Sequence, residues 1–249
     1  MKPTSNRYLH RIGSLVGAKE VLRAVEVFVA EHRSPDEELG ALARRLGVSR
    51  IIEQSLPFEG GLFRFPHGEL VIKLNSEGPY VRKRFTLAHE IGHLLLNTVP
   101  AFRSAPRTDK ALERTCDLIA AELLMPTSEA VEFVRGLGSP SPEKLAAIAS
   151  KYSVSAQTAA IRVHDDFKLW KCCIAMWEVS PNIKTLWFVG PRKWDDVRPS
   201  GGCLDLALAS SNSIRIKDSW RRGVIIDPVW LNLLAKADRR VLGLVNFVN

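Results

Sequence analysis

With 249 residues, 46% hydrophobic and 25% charged, the chain can bury a substantial core and has the composition of a globular protein, not of a disordered or fibrous one. No apolar run approaches the ~20 residues of a membrane helix, and residues 1–13 lack the apolar stretch of a secretory signal. The net charge of +8 is spread along the chain, which argues for solubility more than for a nucleic-acid surface.

In chain order, residues 18–33 predict a helix, with Val21, Leu22, Val25, Phe28 and Val29 at helical spacing. Ser34-Pro35-Asp36 reads as the N-terminal signal of a short second helix through Leu39, Leu42, Ala43 and Leu46, which Gly47 would cap. Three short strands are expected at 51–55, 61–65 and 69–74, the last two turned at Pro66-His67-Gly68 as a hairpin. Helical periodicity returns at 81–97 and 110–125, where Pro126 stops it, and continues in short helices at 127–136, 142–152 and 155–166. Beyond Phe167 the tryptophans concentrate, and runs at 172–179 and 185–189 look like strands. A short helix near 228–237 and a strand over 241–248 complete the expectation.

The expected fold is therefore α+β. A largely helical domain with one small N-terminal sheet occupies residues 1–166, and a second small α/β domain occupies 167–249. The Trp and Cys content of the second domain would suit a sensory or regulatory pocket, although core packing accounts for aromatic residues as well. The four cysteines, Cys116, Cys172, Cys173 and Cys203, show neither a disulfide framework nor a CxxC zinc spacing, so a reduced cytoplasm is expected.

Two segments suggest a helix-turn-helix. Residues 41–50 do so only until Gly47, after which strands are expected. Residues 140–166 have the right outline, with Ser153-Val154-Ser155 at the turn. Their second helix offers only Gln157, Thr158 and Arg162 to base edges, so a structural role is the better reading.

The chemistry lies in residues 85–97, FTLAHEIGHLLLN, which contain His89-Glu90-Ile91-Gly92-His93. Histidines at i and i+4 share one helix face and can chelate one zinc ion. Glu90 between them is placed as the general base for a zinc-activated water. The helix is apolar on every side of the motif, so its histidines and glutamate are costly to bury without a partner, and a metal is such a partner. Zinc needs a third protein ligand. Residues 112–126, LERTCDLIAAELLMP, offer Glu113 and Asp117, one turn apart on one face; Glu122 falls off that face and reads as a solvated helix position. No HExxHxxGxxH extension follows His93. The Glu-x-x-x-Asp spacing is similar to the gluzincin arrangement, where Glu ligates zinc and Asp accepts a hydrogen bond from a ligand histidine.

RKRFTLAHEIGHLLLN followed by LERTCDLIAAELLMP resembles the ImmA/IrrE family of metallopeptidases. SPDEELGALARRLGV, GGLFRFPHGELVIKL and LAAIASKYSVSAQTAAIRV extend the resemblance over about residues 34–166. It implies a zincin-like domain, one Zn²⁺ per chain on His89, His93 and Glu113, Glu90 as catalytic base, and a protein substrate such as a DNA-binding repressor. Asp117 stands where the family often has Asn, which leaves the implied ligand set intact. Two other readings of the chain are a DNA-binding regulator with a structural zinc and a ligand sensor without peptidase activity. Glu90 discriminates against the first, because a structural zinc has no need of a carboxylate between its histidines. For the donor to a developing oxyanion the sequence offers His67, Tyr80, Arg82, Arg84 and His164 without choosing among them.

Overall fold

The computed structural model describes residues 18–32, 38–98, 109–179 and 183–190, and further on 198–199, 201–209, 214–216, 219–221, 224–225, 229–235 and 240–246. The signal at Ser34-Pro35-Asp36 and residues 1–13 lie outside the described residues. Packing divides the chain into two units, Tyr8–Ala130 with Tyr152–Ser155, and Val131–Lys151 with Ala156–Asn249. The strands of the second unit all lie beyond Phe167, where the composition changes.

The first unit begins with α1 (Ala18–His32) and α2 (Leu39–Arg45). Gly47 ends α2 at φ +95°, a left-handed conformation that glycine adopts without Cβ strain, and its N–H donates to the Arg44 carbonyl at 2.9 Å. The chain then runs directly into β1 (Val48–Gln54), so a strand stands where a recognition helix would be. β2 (Gly60–Arg64) and β3 (Leu70–Asn75) form the antiparallel hairpin, with Leu62 opposite Ile72. β1 pairs parallel to β3, giving the order β1-β3-β2 and leaving β2 at an edge. Central β3 buries Val71, Ile72 and Leu74.

α3 (Tyr80–Thr98) packs on β2 and β3, α4 (Asp109–Leu124) packs on α3, and α1 packs on α4. Ile91, Leu95 and Leu96 of α3 and Ile119 and Leu123 of α4 are fully buried. Each such side chain contributes roughly 2 kcal/mol of burial. The core, more than any polar contact, therefore fixes the two helices that carry the motif residues. Among the described residues, no helix is long and apolar enough to cross a membrane.

The chain continues through α5 (Thr127–Gly136), α6 (Pro142–Tyr152) and α7 (Ala156–Ile161), which runs into one π-helical turn, Arg162–Asp166. There the buried Arg162 guanidinium donates to Asp166 at 3.0 Å and lies over the Phe167 ring. The strands that follow are β4 (Cys172–Val179), β5 (Ile183–Val189), β6 (Arg198–Pro199), β7 (Ile214–Ile216), β8 (Ser219–Arg221), β9 (Val224–Ile225), β10 (Val229–Ala235) and β11 (Arg240–Asn246). A five-stranded antiparallel sheet runs β5-β4-β11-β10-β7, and a small one runs β6-β8-β9.

One expected element is overturned. Residues 229–235 are a strand hydrogen-bonded on both sides, to β7 and β11, and not a helix. VWLNLLA is apolar at nearly every position, and a short run of that kind carries no period that separates helix from strand. Conversely, α8 (Gly201–Ala209) is a helix that sequence patterning does not announce, because Gly201-Gly202 at its start reads as a break. The architecture is mixed α+β.

Candidate metal centre

α3 places His89 and His93 on one face, with ring centroids 5.0 Å apart and planes inclined at 69°. Ile91 and Gly92 between them are buried in the helix packing. Glu90 is only 8% exposed. The backbone of Leu62, on edge strand β2, lies near enough to favour its charged form. Burial nevertheless holds the Glu90 carboxyl above the ordinary carboxylate range, with Glu113 adding to the effect and His89 and Leu62 opposing it.

α4 brings Glu113 and Asp117 to the same place. His89 Nδ1 lies 2.9 Å from Asp117 Oδ1, and His89 Nε2 lies 3.2 Å from Glu113 Oε2. His93 Nε2 lies 3.4 Å from the other Glu113 oxygen. Two imidazole nitrogens from one helix thus converge on one carboxylate from another.

The proton inventory tests whether these residues suit a metal. An ionised carboxylate only accepts, so Asp117 claims the Nδ1 proton of His89. In a neutral ring Nε2 is then a lone pair facing the lone pairs of Glu113, an arrangement that needs a positive charge between them. Without a metal that charge is a second proton. Burial opposes protonation of His89, but the Asp117 hydrogen bond and the charges of Asp117, Glu90 and Glu113 outweigh it and hold the ring above its usual range. His93 is held below its usual range by burial and by charge on His89. A divalent cation bound by Nε2 of both rings and by Glu113 would take over the role of the Nε2 proton, and two imidazoles with one carboxylate form a donor set that zinc accepts.

The close approach of the helices has a local cause. Gly92 lies in the motif between the two histidines, and a Cβ there would meet Cys116 Cα at 3.1 Å and its carbonyl oxygen at 3.3 Å. Cys116 is fully buried, and its sulfur falls in one cluster with a ring nitrogen of His89 and one of His93, all within 4.8 Å of one another. Burial, reinforced by Glu113, Asp117 and Glu90, pushes its thiol far above the ordinary range.

Sequence reasoning weighs Cys116 only for disulfide or CxxC spacing and so misses it. Its position one turn after Glu113 is the available signal. The reading of Glu122 as solvated is corrected: it is 1% exposed. Its carboxylate accepts from the Thr127 backbone N–H and hydroxyl, both at 2.7 Å, where α5 begins. The reversal at Met125-Pro126 turns the first donors of α5 back onto α4, and Glu122 satisfies them.

The oxyanion candidates are engaged elsewhere. His67 bonds Glu69 at 3.1 Å, Arg82 donates to Glu59 at 3.0 Å, and Arg84 lies over the ring of Tyr80. His164, in the other unit, lies 2.7 Å from Asp165.

Residues 43–164 match the M78 peptidase family described as the IrrE N-terminal-like domain. That stretch contains both helices and every residue of the centre. Residues 43–164 thus form a domain of the ImmA/IrrE family. Within it, the chain is similar to the radiation response metalloprotease IrrE of Deinococcus radiodurans, 35% identical over 111 residues, 42% of this chain and 33% of that protein. The protein of the same name from Deinococcus deserti is 35% identical over 96 residues, 36% of this chain and 34% of that protein. The match thus spans about a third of the length of these curated relatives. A solved Mycobacterium tuberculosis transcriptional regulator superposes with a TM-score of 0.57, covering 96% of this chain and 78% of that one. At 14% identity that is a likeness of fold alone.

Proposed function

We propose that the protein is a zinc-dependent endopeptidase with a zincin-like domain, which holds its metal on His89, His93 and Glu113 and cleaves a partner protein. The convergence of both histidine Nε2 atoms on Glu113, with Glu90 on the intervening turn, is the observation that carries this reading. A zinc ion there would supply a water with a pKa lowered toward ~7 and polarise the scissile carbonyl. Glu90 takes a proton from the attacking water and returns it to the leaving amine. Its raised affinity for a proton suits that transfer. Asp117 fixes the His89 tautomer so that Nε2 is the ligating atom.

Edge strand β2 offers backbone groups to an extended substrate segment, which would pair with it as an added strand. The family resemblance makes a helix-turn-helix repressor the expected substrate. A regulator with a structural zinc would leave the buried Glu90 without a role.

Incubation of the purified chain with a proteome-derived peptide library tests the proposal. Zinc-loaded protein should cleave a defined set of peptides, and Glu90→Gln should keep its zinc and lose cleavage by several orders of magnitude. Equal cleavage by both proteins would contradict the mechanism.

A further inference from the structure

We propose that Cys116 is a further donor to the metal, a thiolate that joins His89 and His93 and closes the coordination position a reacting water would need. The inference rests on the zinc reading above and adds a residue to it.

Three observations carry it. The Cys116 sulfur lies within 4.8 Å of a nitrogen of each ring. In a tetrahedral site with zinc–sulfur and zinc–nitrogen bonds of about 2.3 and 2.0 Å, neighbouring donors stand about 3.5 Å apart. Each pair therefore has to close by little more than an ångström at most. Second, the backbone is built for the approach. Gly92, between the two ligand histidines, is where α3 lies against Cys116, with 3.1 Å from its ideal Cβ position to Cys116 Cα. Third, α4 places Cys116 one turn after Glu113, so carboxylate and thiol present themselves to the same pair of rings. A buried cysteine packs equally well as a small apolar side chain. Its place beside two imidazole nitrogens is what a packing role does not call for.

The balance is simple. A sulfur–metal bond forms, the S–H bond breaks, and the proton leaves to solvent. Coordination by two imidazoles, a carboxylate and a thiolate is a closed set of four. The thiolate-bound form is then a resting form, in which Cys116 must yield its place before water or substrate can react. A soft donor also favours zinc, cobalt and cadmium over magnesium and manganese.

The test is titration of cobalt(II) into the metal-free full-length chain, read by absorbance. Ligand-field bands in the visible report cobalt in the site, and a near-ultraviolet thiolate-to-cobalt band reports sulfur. Wild type should show both at one equivalent. Cys116→Ser and Cys116→Ala should keep the visible bands and lose the near-ultraviolet band. The serine variant differs by one atom, so a folding failure of the alanine variant leaves the test intact. Visible bands without the near-ultraviolet band in wild type would overturn the role of Cys116 and leave the metal site standing. A near-ultraviolet band that survives in Cys116→Ser would assign it to another cysteine and overturn the proposal. No cobalt uptake by wild type would overturn both readings.

Discussion

Asp117 and His89 are joined across two helices by a 2.9 Å hydrogen bond from Nδ1 to Oδ1, with the ring and the carboxylate both part-buried. This bond decides which nitrogen of His89 carries a lone pair, and it aims that lone pair at Glu113. Asp117→Ala should therefore weaken zinc binding by ~10–100-fold without unfolding the domain. Asp117→Asn should be milder, because the amide oxygen still accepts. Competition against a chelator measures both; identical affinities for wild type and both variants would show that the bond does not orient the ligand.

Gly92→Ala separates helix propensity from packing. Alanine is favoured over glycine in a helix interior by about 1 kcal/mol. The added methyl, however, would meet backbone atoms of Cys116 at 3.1–3.3 Å, and backbone does not rotate away. The expected sum is a net loss of about 1–2 kcal/mol in denaturant unfolding, together with weaker zinc binding as α4 is pushed off α3. A more stable variant with unchanged zinc affinity would show that the approach of the helices is not tight.

Glu122→Ala should cost about 1–2 kcal/mol by removing the acceptor from the first donors of α5. Glu122→Gln, which keeps one acceptor oxygen, should recover part of it. Thermal melts of the two variants check this, and a silent Glu122→Ala would return that side chain to the solvated role the sequence suggests.

The thiol of Cys172, buried at the start of β4, is pushed up to about 12 by burial. A pKa raised to that height leaves the neutral thiol dominant throughout the physiological range, with a thiolate fraction of about 1 in 10⁴ at pH 8. Cys172 should resist iodoacetamide in the native protein and react on unfolding, as read by peptide mass spectrometry. Rapid native labelling would contradict the burial of β4.

The helix with the HExxH motif is legible in the sequence because its spacing obeys a short-range rule. Histidines four apart share a face whatever else the chain does, and the same holds for Glu113 and Asp117. The pairing of the two helices is not legible from spacing, because it depends on Gly92 meeting Cys116, a contact between residues distant in sequence. Leu62 is the same kind of case: nothing in a strand residue announces that its backbone will come to lie beside the carboxylate of Glu90. Glu122 misleads because its partner, Thr127, lies beyond a proline that local pattern marks only as a stop. In the C-terminal region the apolar run at 229–235 is a strand because β7 and β11 flank it, a tertiary fact that no local pattern contains.

In the proposed centre, His89, His93 and Glu113 hold one zinc ion beside Glu90, a base that is not a ligand. Metal content by mass spectrometry, on wild type and single variants purified identically and shown to be folded, tests it most directly. One zinc per chain is expected in wild type and in Glu90→Gln, and little or none in His93→Ala and Glu113→Gln. Full zinc occupancy in His93→Ala, or loss of zinc in a folded Glu90→Gln, would contradict it.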